Sequence, residues 1–233
     1  MRLSSWDSFL AGFDLSRLWS MLISAAAALL CITLHELSHG YVAYRLGDDT
    51  AKNAGRLTLN PIKHLDLLGF VMLVVAHVGW AKPVPVDMRK FENPKRGMAI
   101  TALAGPVSNM LITVVFLFLY GVFAAICSAH DWAISDYLLR FLSLTALISL
   151  GLGLFNLLPI PPLDGSKVLF SLIPDQSYLK LMRYERYGVF ILIGLAAAGV
   201  TGRFLDLAIN AVLDLFSPVA VWGLKLGFIL LGA

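Results

Sequence analysis

Two histidines and a glutamate stand together in the motif His35-Glu36-Leu37-Ser38-His39. On a helix, His35 and His39 lie four residues apart, about 6 Å of rise, so both imidazoles point the same way and can share one metal ion. Glu36 lies beside them. In zinc hydrolases the metal lowers the pKa of a bound water and the glutamate removes its proton. The motif therefore predicts a catalytic Zn²⁺ site with Glu36 as the general base.

The motif lies inside the apolar stretch 18–44, which holds no other Asp, Glu, Lys, Arg or His. A metal-binding or charged group in such a stretch indicates function, because hydrocarbon penalises polar groups that lack a partner. The alternative is a helix with two buried histidines hydrogen-bonded to their neighbours. Cys31, one turn before His35, is interpreted as a small packing residue rather than a ligand.

The composition indicates a membrane protein with several spans. The chain is 58% hydrophobic with a mean hydropathy of +0.79, and its 14% of charged residues compares with about 25% in soluble domains. We predict an all-α fold of about five to six transmembrane segments, with a small β-hairpin or re-entrant element between the first and second full spans. The apolar runs are 18–44, 98–127, 137–158, 212–231, a short one at 188–202 and a shorter one at 67–79.

The distribution of positive charge predicts the orientation. If residues 67–79 do not cross, one side of the membrane holds 13 of the 18 Lys and Arg residues, in loops 45–64, 81–97 and 159–187. The positive-inside rule places these loops in the cytoplasm, the amino terminus outside, and the active site nearer the cytoplasmic face of the inner membrane. The net charge of +3 forms no basic stripe, so no nucleic-acid partner is expected.

The second half of the predicted site follows the run 137–158, in Asn156-Leu-Leu-Pro-Ile-Pro-Pro-Leu-Asp164-Gly165. Its three prolines cannot continue a helix, so the span must unwind just after Asn156 and expose backbone that needs a wet or protein-lined cavity. Asp164 would be the third protein ligand beside the two histidines. Three protein ligands leave one coordination position open for water, as catalytic zinc requires. Gly165 would allow a sharp turn. The alternative is a polar loop at the membrane surface.

The two motifs together resemble the site-2 protease family of intramembrane zinc proteases, in the short prokaryotic form without PDZ or CBS domains. The likeness extends through segments 55–61, 79–86, 93–97 and 105–109. The resemblance implies that His35, His39 and Asp164 bind one Zn²⁺ per chain and that Glu36 is the base. Asn109 and Asn156 match family asparagines that position substrate or stabilise an oxyanion, with capping or interhelical hydrogen bonding as the alternative.

The predicted function is hydrolysis of peptide bonds in membrane-spanning proteins or peptides within the lipid bilayer. The whole chain, 1–233, is interpreted as one membrane-embedded protease domain, with a catalytic core at about 18–165 and extra spans at about 187–231. Because a helical substrate must unwind before cleavage, Gly, Pro or Asn near the cut should be preferred. The alternatives are a catalytically silent metal-binding scaffold, which would not need Glu36, and a metal transporter, which tends to show internal repeats.

The segment Lys82-Pro83-Val84-Pro85-Val86 has the pattern of a strand at the edge of a sheet, which can form backbone hydrogen bonds on one side only. Its prolines remove donors from one side, while Val84 and Val86 direct N–H groups to the other, where an unwound substrate could pair. The alternative is a rigid proline turn. Of the remaining histidines, His64 and His130 are expected to be solvated loop residues. His77 is interpreted as a packed or hydrogen-bonded residue, with a role in supporting the metal ligands or in gating as the alternative.

Overall fold

The computed structural model describes residues 15–66, 82–130 and 135–232, and these residues are mostly helical. Short 3₁₀ helices at Pro61–Lys63 and Met88–Lys90 lie in the connections. The α-helices are α1 (Leu15–Arg45), α2 (Thr50–Asn53), α3 (Pro94–Ala129), α4 (Ser135–Asn156), α5 (Asp164–Ser171), α6 (Asp175–Ala197) and α7 (Val200–Leu230).

Four helices in the described part of the chain, α1, α3, α4 and α7, are long and apolar enough to cross a membrane. The expected five to six spans are therefore not confirmed. The predicted short span at 188–202 is interrupted at Gly199, whose φ of 72° ends one helix before the next begins. The apolar helical part before it, Tyr187–Ala197, covers only roughly 16 Å of the about 30 Å of hydrocarbon.

The predicted β-hairpin or re-entrant element is also not confirmed. The run 67–79 lies outside the described residues, and residues 15–66, 82–130 and 135–232 contain no sheet. The two ends of this segment do meet, because the N–H of Lys82 donates to the carbonyl of His64 at 2.9 Å. Residues 82–87 then run without helix until the 3₁₀ turn at Met88.

Small and hydroxyl-bearing side chains form the contacts among α1, α3 and α4. Cys31 of α1 is fully buried, and its thiol donates to the carbonyl of Thr145 on α4 at 3.5 Å. Ser149 of α4 donates to the carbonyl of Asn109 on α3 at 3.0 Å. Thr113 of α3 donates to its own helix and to Ala146. Such residues let helix backbones approach closely. In a membrane this close packing drives helix association, because burying apolar side chains between helices gains little when the lipid is equally apolar.

Helix α7 packs along α3 through glycines on both helices. A Cβ on Gly121 would lie 2.0 Å from the carbonyl oxygen of Ala220, and one on Gly223 would lie 2.1 Å from that of Phe118. Gly227, one turn further on, meets Ala125 in the same way. Gly223 and Gly227 form a GxxxG pair of the kind that lets membrane helices touch backbone to backbone. The last helix is therefore fixed against the core by close packing.

Candidate active site

Helix α1 presents the two histidines of the motif on one buried face. The helix continues unbroken to Arg45, so His35 and His39 are separated by one turn, as predicted. Their side chains are 6% and 10% exposed, and their Nε2 atoms lie 3.0 Å apart. Cys31, on the preceding turn, packs against α4 and is not part of this group.

The break after α4 brings Asp164 to the histidines. α4 ends at Asn156, as the prolines predict, and Asp164 is the first residue of α5. Its Oδ2 atom lies 3.3 Å from Nε2 of His35 and 3.0 Å from Nε2 of His39. Gly165 acts differently from the prediction: it lies in helix α5 without a positive φ, and a Cβ there would meet the carbonyl oxygen of Leu157 at 2.2 Å. It allows close packing rather than a turn.

The chemistry of these three groups suits a cation. Nδ1 of His39 lies 2.7 Å from the carbonyl oxygen of Thr101, which can only accept, so Nδ1 carries the proton and Nε2 keeps its lone pair. Ligand atoms at 2.0–2.1 Å from a tetrahedral zinc ion lie about 3.3 Å apart, close to the 3.0–3.3 Å separations here. The residues present therefore fit a zinc ion.

The carboxyl group of Asp164 is held in its charged form. Burial alone would raise the pKa of Asp164, but the adjacent imidazoles and the charge of Lys167 hold it below its usual range. The Nζ of Lys167 lies 3.5 Å from Oδ1, while Oδ2 faces the histidines. The two oxygens of the carboxylate thus have different neighbours, and only one is directed to the imidazoles.

Gly105 provides the space that the imidazoles occupy. A Cβ at this position of α3 would lie 2.5 Å from Cε1 of His35 and 2.5 Å from Nε2 of His39. Any side chain here would displace both rings. The next residue, Pro106, lies inside α3 and removes one backbone N–H from the helix. Gly105 therefore lies on the face of α3 that meets the histidines.

Glu36 is held by the segment 82–87. Its Oε2 atom accepts the N–H of Val84 at 2.9 Å, so one of the two donors predicted for substrate pairing is occupied by the predicted base. The two ends of the segment are fixed by buried groups. Arg56, 6% exposed, donates to the carbonyl of Lys82, and Asp48, fully buried, accepts the N–H of Asp87 at 2.7 Å.

One cavity joins these groups. It has a volume of about 660 Å³, and the histidines, Glu36, Asp164 and Asn156 all line it. Val84, Val86 and Lys167 line it as well, while Ala25, Ala28, Leu29 and Ile32 of α1 and Leu152 and Phe155 of α4 form an apolar part.

The two candidate asparagines are placed differently. Asn156 lines the cavity and donates through Nδ2 to the carbonyl of Leu152. Asn109 is fully buried away from the cavity lining, and neither polar atom of its side chain has a hydrogen-bond partner among the described residues. Only Asn156 is therefore placed where a substrate in the cavity could meet it.

Several residues around the site were not predicted from the sequence. Thr101, Gly105 and Lys167 each contact a predicted metal ligand, and Asp48 fixes the end of the segment that holds Glu36. In the sequence, only the Gly105-Pro106 pair, two helix breakers inside an apolar run, indicated a special position. The expectation that His64 is solvated is wrong. It is 1% exposed, and its Nε2 lies 2.9 Å from the carbonyl of Thr58. His130 is exposed, and His77 lies outside the described residues.

Comparison with known proteins identifies relatives of this chain. Residues 121–198 match the family model described as Peptidase family M50. The chain is 42% identical over 195 residues to the Bacillus subtilis protein named "Putative zinc metalloprotease YwhC", covering 82% of this chain and 89% of that protein. It is 31% identical over 194 residues to "Putative zinc metalloprotease Rip2" of Mycolicibacterium smegmatis, covering 82% and 72% respectively. No solved structure matches the chain.

Apolar spanning helices around a buried group able to hold a metal ion define the class of multi-pass membrane metalloproteins. Within this class, the chain belongs to peptidase family M50, the site-2 protease family. It is a zinc-dependent protease.

Proposed function

We propose that the chain is an intramembrane protease that hydrolyses peptide bonds of membrane-spanning substrates, with His35, His39 and Asp164 as its zinc ligands. The observation that carries the proposal is the convergence of these three side chains in a cavity between apolar spanning helices. We place the protease domain over residues 1–233, with the catalytic core at about 18–165 and buttressing helices at about 187–231. This assignment rests on α7 packing against α3 outside the cavity.

The proposed chemistry divides between the ligands and Glu36. A zinc ion held by the three ligands supplies a Lewis acid and makes a water molecule acidic near neutral pH. Glu36 takes the proton of the attacking water and later returns it to the leaving amine. The N–H of Val84 keeps one carboxylate oxygen of Glu36 in place and leaves Oε1 for the proton. Asn156, which lines the cavity, positions the substrate.

Substrate reaches the site as an unwound segment of a membrane helix. In an intact helix each carbonyl is already bonded to an amide, so cleavage needs local unwinding, which Gly, Pro or Asn near the cut would ease. The apolar wall formed by α1 and α4 suits the still-apolar chain of such a substrate. The backbone at Val86, on the wall formed by segment 82–87, is a place where the unwound part can pair as a strand.

The orientation proposed from the charge distribution places the site nearer the cytoplasmic face of the inner membrane, with the amino terminus outside. Arg45 ends α1, six residues beyond His39, so His39 lies about 9 Å below that end of the helix. Loops 45–64, 82–97 and 159–187 carry most of the basic residues and belong on the same side.

The test is cleavage of a membrane-spanning model peptide in liposomes, with the cut site mapped by mass spectrometry. Wild type should cut within or near the apolar segment, and Glu36→Gln should lower turnover on the order of 10³-fold while retaining zinc. A peptide whose Gly, Pro and Asn residues are replaced by leucine should be cut more slowly. Equal cleavage by Glu36→Gln would remove Glu36 as the base, and cleavage of soluble peptides alone would contradict an intramembrane site.

A further inference from the structure

Helix α7 carries a polar stripe on the side that faces away from the rest of the described chain. Arg203, Asn210, Asp214 and Ser217 are all exposed, although α7 is long and apolar enough to cross a membrane. The buried residues of the helix, Thr201, Gly223 and Gly227, lie on another side, and the glycines contact α3.

The packing of α7 on α3 gives the depth of this stripe. Gly223 meets Phe118 and Gly227 meets Ala125, so the two helices run parallel. Both helices rise by the same distance per residue, so the same register can be counted back toward their amino-terminal ends. It places Asp214 level with the region near Ile112, the middle of α3. α3 spans the membrane, so Asn210 and Asp214 lie near the centre of the bilayer rather than in water.

Lipid cannot be the normal neighbour of this stripe. An acidic side chain at the bilayer centre is costly, and such groups almost always face a partner or a water-filled cavity. An exposed Asn nearby adds a second group whose donors and acceptor hydrocarbon cannot satisfy. The stripe therefore indicates an interaction surface within the membrane.

The spacing of the stripe is that of a helix pair. Exposed residues recur at alternating steps of four and three along α7, at Arg203, Leu207, Asn210, Asp214, Ser217 and Val221. This is the spacing of the contact seam in two left-handed supercoiled helices, in which a single buried asparagine fixes the register and the number of helices. We call these six residues the polar seam.

We propose that the polar seam pairs two copies of this chain as parallel α7 helices in the membrane. A two-fold interface uses the same surface on both copies and therefore must be self-complementary. The polar seam meets this condition through Asn210, whose amide both donates and accepts, and through the carboxyl group of Asp214, which accepts; the hydroxyl of Ser217 already donates to the backbone carbonyl of Asp214 on its own helix. In a parallel two-fold pair, residues at the same level face each other, so Asn210 pairs with its own counterpart and also donates to the Asp214 carboxyl group of the other copy, one turn away. The two Asp214 carboxyl groups face each other as well, which requires them to share a proton.

The test is disulfide cross-linking of full-length protein in liposomes at a high lipid-to-protein ratio, with Cys31 and Cys127 replaced by alanine. Ser217→Cys should form a covalent dimer on oxidation. Leu215→Cys, at nearly the same depth but off the polar seam and 71% exposed, is the matched control and should stay monomeric. In unlinked protein, Asn210→Leu with Asp214→Leu should weaken dimerisation about tenfold, with the zinc content unchanged.

The result that would overturn the proposal is a monomeric wild type with no Ser217→Cys dimer. Equal cross-linking at positions 215 and 217 would overturn it too, since that pattern reports random collision. A Ser217→Cys adduct formed only with an added membrane-spanning peptide would assign the polar seam to a different partner and would likewise contradict pairing of two copies.

Discussion

The two halves of the candidate zinc site are built in opposite ways. The histidine half lies on one uninterrupted helix, where the rise and turn of α1 alone bring His35 and His39 together. The aspartate half begins a new helix after a proline-rich break, and Asp164 reaches the histidines only because α5 packs against the end of α4. The difference teaches that the first half depends on local geometry and the second on tertiary packing. Substitutions at packing positions should separate the two.

The largest effect is expected at Gly105, which makes room for the histidine half. In Gly105→Ala the new Cβ would lie 2.5 Å from atoms of both imidazoles, so bound zinc should be lost and turnover should fall at least about 10³-fold. The control is Gly202→Ala in α7, where a Cβ meets nothing within 4 Å. Both changes favour helix by about 1 kcal/mol, so the measured zinc content isolates the collision. Full zinc in Gly105→Ala would mean that the rings can move aside.

Gly165 tests the aspartate half by itself. In Gly165→Ala the Cβ would meet the carbonyl of Leu157 at 2.2 Å and push α5, with Asp164, away from the histidines. We expect zinc affinity, measured by chelator competition, to fall about 100-fold, while the histidine pair keeps a weak residual affinity. Gly194→Ala, with open space around it, is the control. Unchanged affinity would show that Asp164 is not positioned by this packing.

Val84 tests how the base is held. Val84→Pro removes the N–H that donates to Oε2 of Glu36, so turnover should fall about 100-fold with zinc retained. Val86→Pro separates this effect from pairing with substrate, because the N–H of Val86 is proposed to bind the substrate instead. It should raise KM and leave kcat nearly unchanged. A silent Val86→Pro would remove the strand-pairing role, and normal turnover in Val84→Pro would remove the role of Val84 in holding Glu36.

Asp48 should give the smallest effect, because it acts on Glu36 only through segment 82–87. Asp48→Asn replaces an acceptor with an amide donor opposite buried N–H groups, which should destabilise the loop by about 1–3 kcal/mol and lower turnover about tenfold, with zinc unaffected. The exposed neighbour is the control, and Asp49→Asn should leave turnover and zinc unchanged. Activity in Asp48→Asn equal to that of this control would show that the segment is held by other contacts.

The predictable part of the molecule is the part with a local cause. The helix through His35 and His39 follows from periodicity, and the end of α4 at Asn156 follows from prolines that cannot donate to a helix. The family follows from the two motifs together, and the comparisons confirm it.

The remaining features depend on contacts between distant residues. Gly199 interrupts an apolar run whose composition alone predicts a membrane span. For this reason five to six spans were expected, whereas the described residues contain four. Gly165 resembles a turn glycine until its neighbour, Leu157, is known. Asp48 and Arg56 are ordinary loop charges in the sequence, and only the fold buries them against residues 82–87.

The most direct measurement of the central claim is the zinc content of detergent-purified wild type beside Asp164→Ala, with the exposed Asp49→Ala as control. We expect about one zinc per chain in wild type and in the control, and almost none in Asp164→Ala. That result would join the two motifs into one site. Little zinc in freshly purified wild type, or zinc unaffected by Asp164→Ala, would contradict a site formed by His35, His39 and Asp164.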